Sequence, residues 1–364
     1  MTDFADDTLA LPATARSAAR QEVRARDVGD AAAQWTWRIV HARRKEPFLA
    51  STVIAPLRRV YYTADDGWRA PLHVLPAAGT GAGAPVLLVH GLGGTWRDFA
   101  LEPVGSLARS LAAAGYTVYL ATHRGDREAI APPDARAFDL DDIAARDLPA
   151  AIDAVRADSG FARVIAVGHA LGGQALYLLR TLAGSDGLAG LATLCAPVDF
   201  VAPASAARQA GLVAALLPRR WAVPARAALR FALPFVDAAH LLDAPRTPGP
   251  VARARLRHGS ADLHAGVLAQ LARCVSVGHL CDRTGRVDVV AGLDAYVPAL
   301  VLVAAEDARC RPEQVRRAAE ALGTTPVTVP GGHLDPLTAE DAREAACDAL
   351  LTWMSGLHDR CRVL

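Results

Sequence analysis

Three features of this chain occur in an order that suits acyl transfer: a glycine-flanked turn, an acid and a histidine. The turn Gly168-His169-Ala170-Leu171-Gly172 comes first, Asp307 follows, and His333 comes last. In covalent acyl transfer, a carboxylate orients an imidazole, which activates a nucleophile held beside it. The central position of the turn is Ala170, whose methyl group cannot attack a carbonyl carbon. These residues therefore predict an acyl-transfer site that lacks its nucleophile.

The turn lies between a predicted strand, 163–167, and a predicted helix, 173–182. In a G-x-S-x-G motif, the central residue occupies a strained strand-to-helix turn with its side chain exposed above the sheet. Glycines flank that position because a Cβ atom would collide across so sharp a turn. Two explanations account for an alanine at position 170. Either a serine has been replaced by alanine, or this is a natural chain that has lost catalysis. We favour the replacement, because drift after a natural loss would erode Asp307 and His333.

Asp307 is the predicted orienting acid because it follows the penultimate apolar strand, 299–304. Glu306 is the second choice, since adjacent side chains on an extended segment point in different directions. His333 follows the last predicted strand, in a glycine-rich loop that can carry an imidazole to the turn. Asp335 is predicted to cap the next helix or to support the histidine loop.

A second glycine-rich segment, His90-Gly91-Leu92-Gly93-Gly94, follows the predicted strand 85–89. We expect the backbone N–H groups of Leu92 and Leu171 to form an oxyanion hole, since Leu171 follows the nucleophile position. A phosphate-binding loop is the alternative for such a segment, but no Gly-Lys-Ser/Thr sequence follows. His169 is predicted to pack and to hydrogen-bond.

Strand and helix patterns alternate over most of the chain. Continuous apolar strands that alternate with helices indicate a parallel sheet covered on both faces. We therefore predict the α/β class, with a mostly parallel eight-stranded sheet between two layers of helices. The predicted strands are 59–63, 70–75, 85–89, 116–121, 163–167, 188–195, 299–304 and 325–329. The predicted helices of this core are 103–114, 140–158, 173–182, 312–322 and 339–357.

Residues 198–292 interrupt the alternation with helical, partly apolar sequence. Because this segment lies between the sixth and seventh predicted strands, we expect a helical cap over the carboxyl edge of the sheet, where open α/β sheets bind ligands. Leu216, Trp221 and Phe231 are predicted to contact substrate there, and ordinary core packing is the alternative. The predicted domains are a partly disordered N-terminal extension with one packed helix (1–57), the first part of the core (58–197), the cap (198–292) and the second part of the core (293–364).

Composition argues against several functions. The 364 residues include 39 basic and 38 acidic side chains, a net charge of +1 that gives no support for a nucleic-acid partner. The six cysteines are dispersed without Cys-x-x-Cys pairs, as is typical of a reducing compartment. Neither a signal peptide nor an apolar stretch of about 18–20 residues is evident, so we expect a cytoplasmic protein without a membrane span. No histidine spacing suits a metal, and the oligomeric state stays open.

Over residues 58–364 the chain resembles an α/β-hydrolase of the lipase/esterase branch. The resemblance rests on His90-Gly91-Leu92-Gly93, on the glycine-rich turn 168–173 and on Gly332-His333. Asp147-Leu148-Pro149-Ala150 is also similar to the helix that precedes the turn in acid lipases. The resemblance implies that a serine belongs at position 170, that the acid is Asp307 and that the base is His333.

The family further implies an esterase, lipase or lactonase that acts on a small-molecule hydrophobic ester, such as a lipid, a lactone or a polyester oligomer. It implies no metal and no organic cofactor. Epoxide hydrolases and haloalkane dehalogenases fit poorly, because position 170 offers no aspartate nucleophile. Polyhydroxyalkanoate synthases share much of the layout but use a cysteine there. The alternatives are a natural, non-catalytic ligand-binding protein of this fold and a relative of polyester synthases or depolymerases.

Overall fold

Short apolar segments form the strands of this protein, and eight of the described strands build one sheet. The strands of the computed structural model are Arg58–Thr63 (β1), Arg69–Leu75 (β2), Pro85–Val89 (β3), Thr117–Ala121 (β4), Val164–His169 (β5), Leu188–Leu194 (β6), Ala222–Val223 (β7), Leu263–His264 (β8), Ala299–Ala304 (β9) and Val327–Val329 (β10). Their order in the sheet is β1-β2-β4-β3-β5-β6-β9-β10. β1 and β2 form an antiparallel hairpin, β2 is antiparallel to β4, and the remaining pairs are parallel. The predicted fold class is confirmed.

The structure describes residues 58–78, 84–101, 106–216, 218–232 and 237–362. These residues all belong to one compact unit. The predicted N-terminal extension, 1–57, lies outside the described residues. Within the described part of the chain, no helix combines the length and the apolar character that crossing a bilayer requires.

Helices cover both faces of the sheet, and their bounds differ from the predicted ones by a few residues. The α-helices are Leu107–Ala113 (α1), Leu140–Asp142 (α2), Leu148–Ser159 (α3), Leu171–Leu182 (α4), Ala204–Leu216 (α5), Ala225–Ala232 (α6), Ala238–Leu242 (α7), Gly249–His258 (α8), Ala265–Val277 (α9), Arg316–Ala321 (α10), Asp335–Thr338 (α11), Glu340–Ser355 (α12) and His358–Arg362 (α13). The predicted helix 140–158 contains a π-helical turn, Ile143–Asp147, between α2 and α3. Pro149, in the first turn of α3, lacks the N–H that would continue the α-helical ladder, and this accounts for the irregularity.

Residues 198–292, named here the β6–β9 insertion, contain helices α5 to α9. β7 and β8 form a two-residue antiparallel pair within it. α9 ends at Val277, and its C-cap Gly278 has φ +90°, a conformation that glycine adopts without strain. The side chain of Gln270 on α9 accepts hydrogen bonds from the backbone N–H groups of Leu140 and Asp141. The insertion is therefore anchored to the start of α2.

A buried ion pair also joins the insertion to the core. Asp98 lies on the short 3-10 helix Trp96–Phe99, which follows the glycine-rich segment 90–94. Arg255 on α8 contacts both of its carboxylate oxygens, at 2.7 and 2.9 Å, and the two side chains are almost fully buried. Burial raises the pKa of Asp98 to about 6, although Arg255 acts in the opposite direction. Because two charges have left water here, the geometry of the pair matters for stability.

We expect Arg255→Met to reduce the free energy of unfolding by about 3–5 kcal/mol, because the Asp98 carboxylate is left buried without a partner. Urea unfolding measures this loss. Arg257→Met on the exposed side of the same helix is the matched control and should change stability by less than about 0.5 kcal/mol. The double variant Asp98→Asn with Arg255→Met should regain part of the free energy of unfolding that Arg255→Met loses. An equal effect of Arg255→Met and Arg257→Met would show that the ion pair contributes nothing.

Candidate active site

Ala170 lies between β5 and α4 in a backbone conformation that alanine rarely adopts, with φ 49° and ψ −115°. The turn is forced by the close approach of neighbouring backbone. A Cβ atom on Gly168 would lie 2.5 Å from the backbone of Gly172, and one on Gly172 would lie 2.1 Å from the carbonyl oxygen of Val89. A Cβ atom on Gly173 would lie 2.5 Å from another side chain. Only glycine fits these positions, and residue 170 is left half-buried at the carboxyl edge of the sheet.

The structure brings Asp307 and His333 together, as the sequence predicts. Nδ1 of His333 lies 2.8 Å from Oδ2 of Asp307, whose side chain is fully buried. Burial raises the pKa of Asp307, but hydrogen bonds from His333 and from the backbone N–H groups of Cys310 and Arg309 outweigh it and hold the pKa below its usual range. The carboxylate therefore accepts from Nδ1–H, which leaves Nε2 of a neutral His333 free to take a proton.

His169 positions the histidine loop. Its Nε2 lies 2.9 Å from the carbonyl oxygen of His333, and the two rings are 4.9 Å apart between centroids. Burial, together with the neighbouring His333, lowers the pKa of His169 to about 3. A carbonyl oxygen only accepts, so the neutral imidazole of His169 donates its proton from Nε2.

Asp335 supports the same loop from its other side and does not face the imidazole. Its fully buried carboxylate accepts hydrogen bonds from the backbone N–H of Gly332 and from the hydroxyl of Thr247. Glu306, the second choice of acid, is exposed and pairs with Arg246 at 2.6 Å. The buried hydrogen bond to His333 therefore distinguishes Asp307 from both neighbours.

Leu171 directly follows Ala170, and the glycine-rich segment that carries Leu92 passes close to the same turn. Leu171 is the first residue of α4, and the first N–H groups of a helix have no partner within it. Leu92 lies in the glycine-rich segment and is partly exposed. A Cβ atom on the adjacent Gly91 would lie 3.3 Å from Cβ of Ala170, so this segment passes close to the turn.

A small cavity adjoins the glycine-rich segment. Its volume is about 50 Å³, and both the core and the β6–β9 insertion contribute to its wall. Apolar side chains of Phe138, Ile143, Leu171 and Val267 line it, and the imidazole of His264 closes one side. The predicted cap thus contributes to the wall through residues 261–267.

Leu216, Trp221 and Phe231 do not reach this cavity. The structure places all three on exposed parts of the insertion, and none of them is among the residues that line the cavity. Their contact with substrate therefore stays a prediction, and it would have to be made outside this cavity. Sequence patterning identified apolar positions on short helices and in a connecting segment, but it could not show which of those positions another layer covers.

Cys195 was not singled out by the sequence, yet it lies beside the histidines. It follows β6 directly, is fully buried and has φ 52°. Side-chain atoms of His169, Cys195 and His333 lie within 4.8 Å of one another, a spacing that metal sites also show. One nitrogen of each imidazole is already hydrogen-bonded, and burial raises the pKa of the thiol. Metal binding needs a thiolate, so we assign no metal to this cluster.

Two further buried imidazoles lie at the same edge of the sheet. The rings of His90 and His123 are 4.0 Å apart between centroids, and Nε2 of His123 lies 3.3 Å from the carbonyl oxygen of His90. Burial lowers the pKa of His123 to about 4, and burial together with His123 lowers that of His90 well below its usual value. Both rings line the cavity as neutral groups.

Comparisons with known proteins agree with the fold of the chain. A family model described as "Alpha/beta hydrolase family" matches residues 86–349. No curated protein matches the chain. Among solved structures, an esterase from Thermogutta terrifontis is 21% identical with a TM-score of 0.57, and the match covers 84% of this chain and 100% of that one. An esterase from Exiguobacterium antarcticum is 17% identical with a TM-score of 0.57, and the match covers 82% of this chain and 100% of that one. A putative aryl esterase from Burkholderia cenocepacia is 22% identical with a TM-score of 0.53, and the match covers 83% of this chain and 100% of that one. Identities this low show a shared fold.

We expect Ala170→Gly to increase the free energy of unfolding by about 1 kcal/mol, because glycine adopts positive φ without the strain that a Cβ atom causes. Chemical denaturation measures the change. Ala154→Gly, at a half-exposed position inside α3, is the matched control and should destabilise by about 1 kcal/mol. If both variants lose stability equally, the turn at Ala170 stores no strain.

Acid should destabilise the protein through its buried imidazoles. For His123 the folded pKa is about 4, below an unfolded value of about 6.5, so the unfolded state binds more protons and stability falls as the pH drops from 6.5 towards 4. His123→Gln keeps a donor for the carbonyl of His90. We expect it to reduce the stability loss between pH 7.5 and pH 5 by about 2 kcal/mol, measured by urea unfolding. His240→Gln, at an exposed position, is the control, and equal pH profiles for all three proteins would contradict the prediction.

Proposed function

Since the chain belongs to the alpha/beta hydrolase family, we propose that its site is that of a serine-type carboxylic-ester hydrolase in which Ala170 has removed the nucleophile. The proposed triad is residue 170, Asp307 and His333. In this form the chain binds an ester and does not cleave it. The proposal rests on the pairing of a buried Asp307–His333 hydrogen bond with a strained turn at position 170.

The strained backbone at Ala170 is explained if the side chain at this position has to be exposed above the sheet, where it can meet a substrate. The conformation costs of the order of 1–3 kcal/mol for a residue with a Cβ atom. Alanine gains no hydrogen bond in return, whereas a serine hydroxyl at the same position would meet an imidazole that Asp307 orients. The strained backbone at position 170, together with the Asp307–His333 pair, therefore supports a site for nucleophilic catalysis.

With a serine at position 170, its hydroxyl oxygen would form a bond to the ester carbonyl carbon while Nε2 of His333 takes the hydroxyl proton. The carbonyl oxygen would become an oxyanion facing the backbone N–H groups of Leu92 and Leu171. Collapse would break the bond to the alcohol, which receives the proton from His333, and leave an acyl-enzyme. Water would then cleave that ester with the same base, while Asp307 holds the imidazole in its orientation.

The cavity adjoins the glycine-rich segment that carries Leu92, and Leu171 contributes to its wall. Apolar side chains make up much of that wall, and an apolar wall favours an apolar ligand group. We therefore propose an ester with an apolar acyl or alcohol part.

Ala170→Ser should convert the chain into an esterase. We expect an increase in kcat of the order of 10⁶ on p-nitrophenyl acetate or butyrate, because the other parts of the machinery are already in place. Release of p-nitrophenol measures it. In the serine form, His333→Ala should abolish turnover and Asp307→Asn should reduce kcat by about 10⁴. Glu306→Gln, at the exposed neighbouring acid, is the matched control and should leave kcat unchanged.

Equal turnover by the alanine and serine forms would contradict the triad. If the serine form binds esters without cleaving them, a non-catalytic ligand-binding protein would become the better proposal. Transfer of the acyl group to a hydroxy ester instead of water would favour a relative of the polyester synthases. The cytoplasmic location stays a prediction.

A further inference from the structure

The β6–β9 insertion carries an unusual number of exposed apolar side chains. Phe231 is 82% exposed and Trp221 is 62% exposed, although side chains of this size are normally well buried. Four more large apolar residues described in residues 201–231 are exposed: Val201, Leu212, Leu216 and Val223. Exposed apolar side chains grouped in one segment indicate a surface that is covered by a partner.

Local structure places these residues on the outer side of the insertion. Leu212 and Leu216 are four residues apart on α5 and therefore share one face. A Cβ atom on Gly211 would lie 2.9 Å from the hydroxyl oxygen of Ser276, which shows that another face of α5 packs against α9. Trp221 and Val223 are two residues apart around β7, so their side chains leave the strand on the same side.

The same stretch is strongly basic. Residues 200–236 contain five arginines and no aspartate or glutamate, whereas the whole chain has a net charge of +1. Arg208 and Arg220 are exposed. Arg219 lies 3.6 Å from Asp139 of the core, and Asp262 accepts a hydrogen bond from the backbone N–H of Arg226. Asp139 thus meets part of this charge, while Arg208 and Arg220 stay exposed.

We propose that residues 201–216 and 218–231, named here the basic apolar surface, bind the surface of an anionic lipid bilayer. Trp, Phe and Leu side chains enter the boundary between headgroups and acyl chains, and arginines pair with lipid phosphates, as in interfacial amphipathic segments. A negatively charged partner fits a stretch with no acidic residue. Exposed leucines give no advantage on a nucleic-acid backbone, so an apolar partner is favoured over a polyanion in water.

The position of this surface connects it to the candidate active site. β7 pairs with β8, in the register Ala222 to His264 and Val223 to Leu263. His264 lines the cavity, and the N–H of Ala265 donates to the carbonyl oxygen of Trp221 at 2.8 Å. The backbone of Trp221 and of β7 is therefore hydrogen-bonded to the segment that carries His264 of the cavity wall. The proposal itself concerns binding and does not depend on hydrolysis.

Vesicle flotation of the full chain tests the proposal. We expect the protein to float with phosphatidylcholine vesicles that contain a third phosphatidylglycerol, to float poorly with pure phosphatidylcholine, and to dissociate as salt is raised. Arg208→Glu with Arg220→Glu should weaken binding at least ~25-fold, because each basic residue near the surface contributes about fivefold. Trp221→Ser with Phe231→Ser should abolish stable binding. Circular dichroism checks that each variant is folded.

Matched controls lie outside the insertion. Tyr296→Ser removes an aromatic side chain that is 78% exposed, and Arg316→Glu reverses an exposed charge on α10. Both should bind vesicles as the unmodified chain does. Equal binding to neutral and anionic vesicles, or equal loss in controls and test variants, would overturn the proposal. So would a dimer in sedimentation velocity that Trp221→Ser dissociates without any vesicle binding, or binding to a DNA oligonucleotide in place of vesicles.

Discussion

The close approach of α4 to the ends of β3 and β5 is the constraint on which the rest of the site depends. Gly172 lies so near the carbonyl oxygen of Val89 that any side chain would collide with it, and Gly168 meets the backbone of the same turn. This contact forces residue 170 into positive φ and directs its side chain out of the sheet. It also places the first N–H groups of α4 beside the glycine-rich segment after β3. One packing requirement thus creates both the nucleophile position and the proposed oxyanion hole.

A chain of buried hydrogen bonds holds the other half of the site against that turn. Asp307 binds Nδ1 of His333, the carbonyl oxygen of His333 accepts from His169, and Asp335 holds the loop through Gly332. Each of these polar groups has lost water, so leaving one unpaired would cost about 1–3 kcal/mol. The loop that carries His333 is therefore held in one position.

The β6–β9 insertion has two different faces. Its inner face contributes part of the cavity wall and is anchored by the Asp98–Arg255 ion pair and by Gln270. Its outer face is basic and exposes Trp221 and Phe231. The same apolar residues were interpreted from the sequence as substrate contacts. Because they are exposed, we propose a bilayer surface as their partner, and other residues, such as Phe138 and Ile143, line the small cavity.

The sequence by itself determined the sheet, the glycine-flanked turn and the order of its candidate residues, because periodicity and glycine at close approaches are local properties. Asp307 could be preferred to Glu306 since strand geometry separates adjacent side chains. Tertiary structure alone decided which helix faces are covered, so the exposure of Trp221 and Phe231 and the position of Cys195 beside the histidines could not be predicted. It also decided the ion pair between Asp98 and Arg255, because a contact between residues so distant in sequence leaves no periodic pattern. Burial depends on what the rest of the chain packs against a residue, and only the folded chain contains that information.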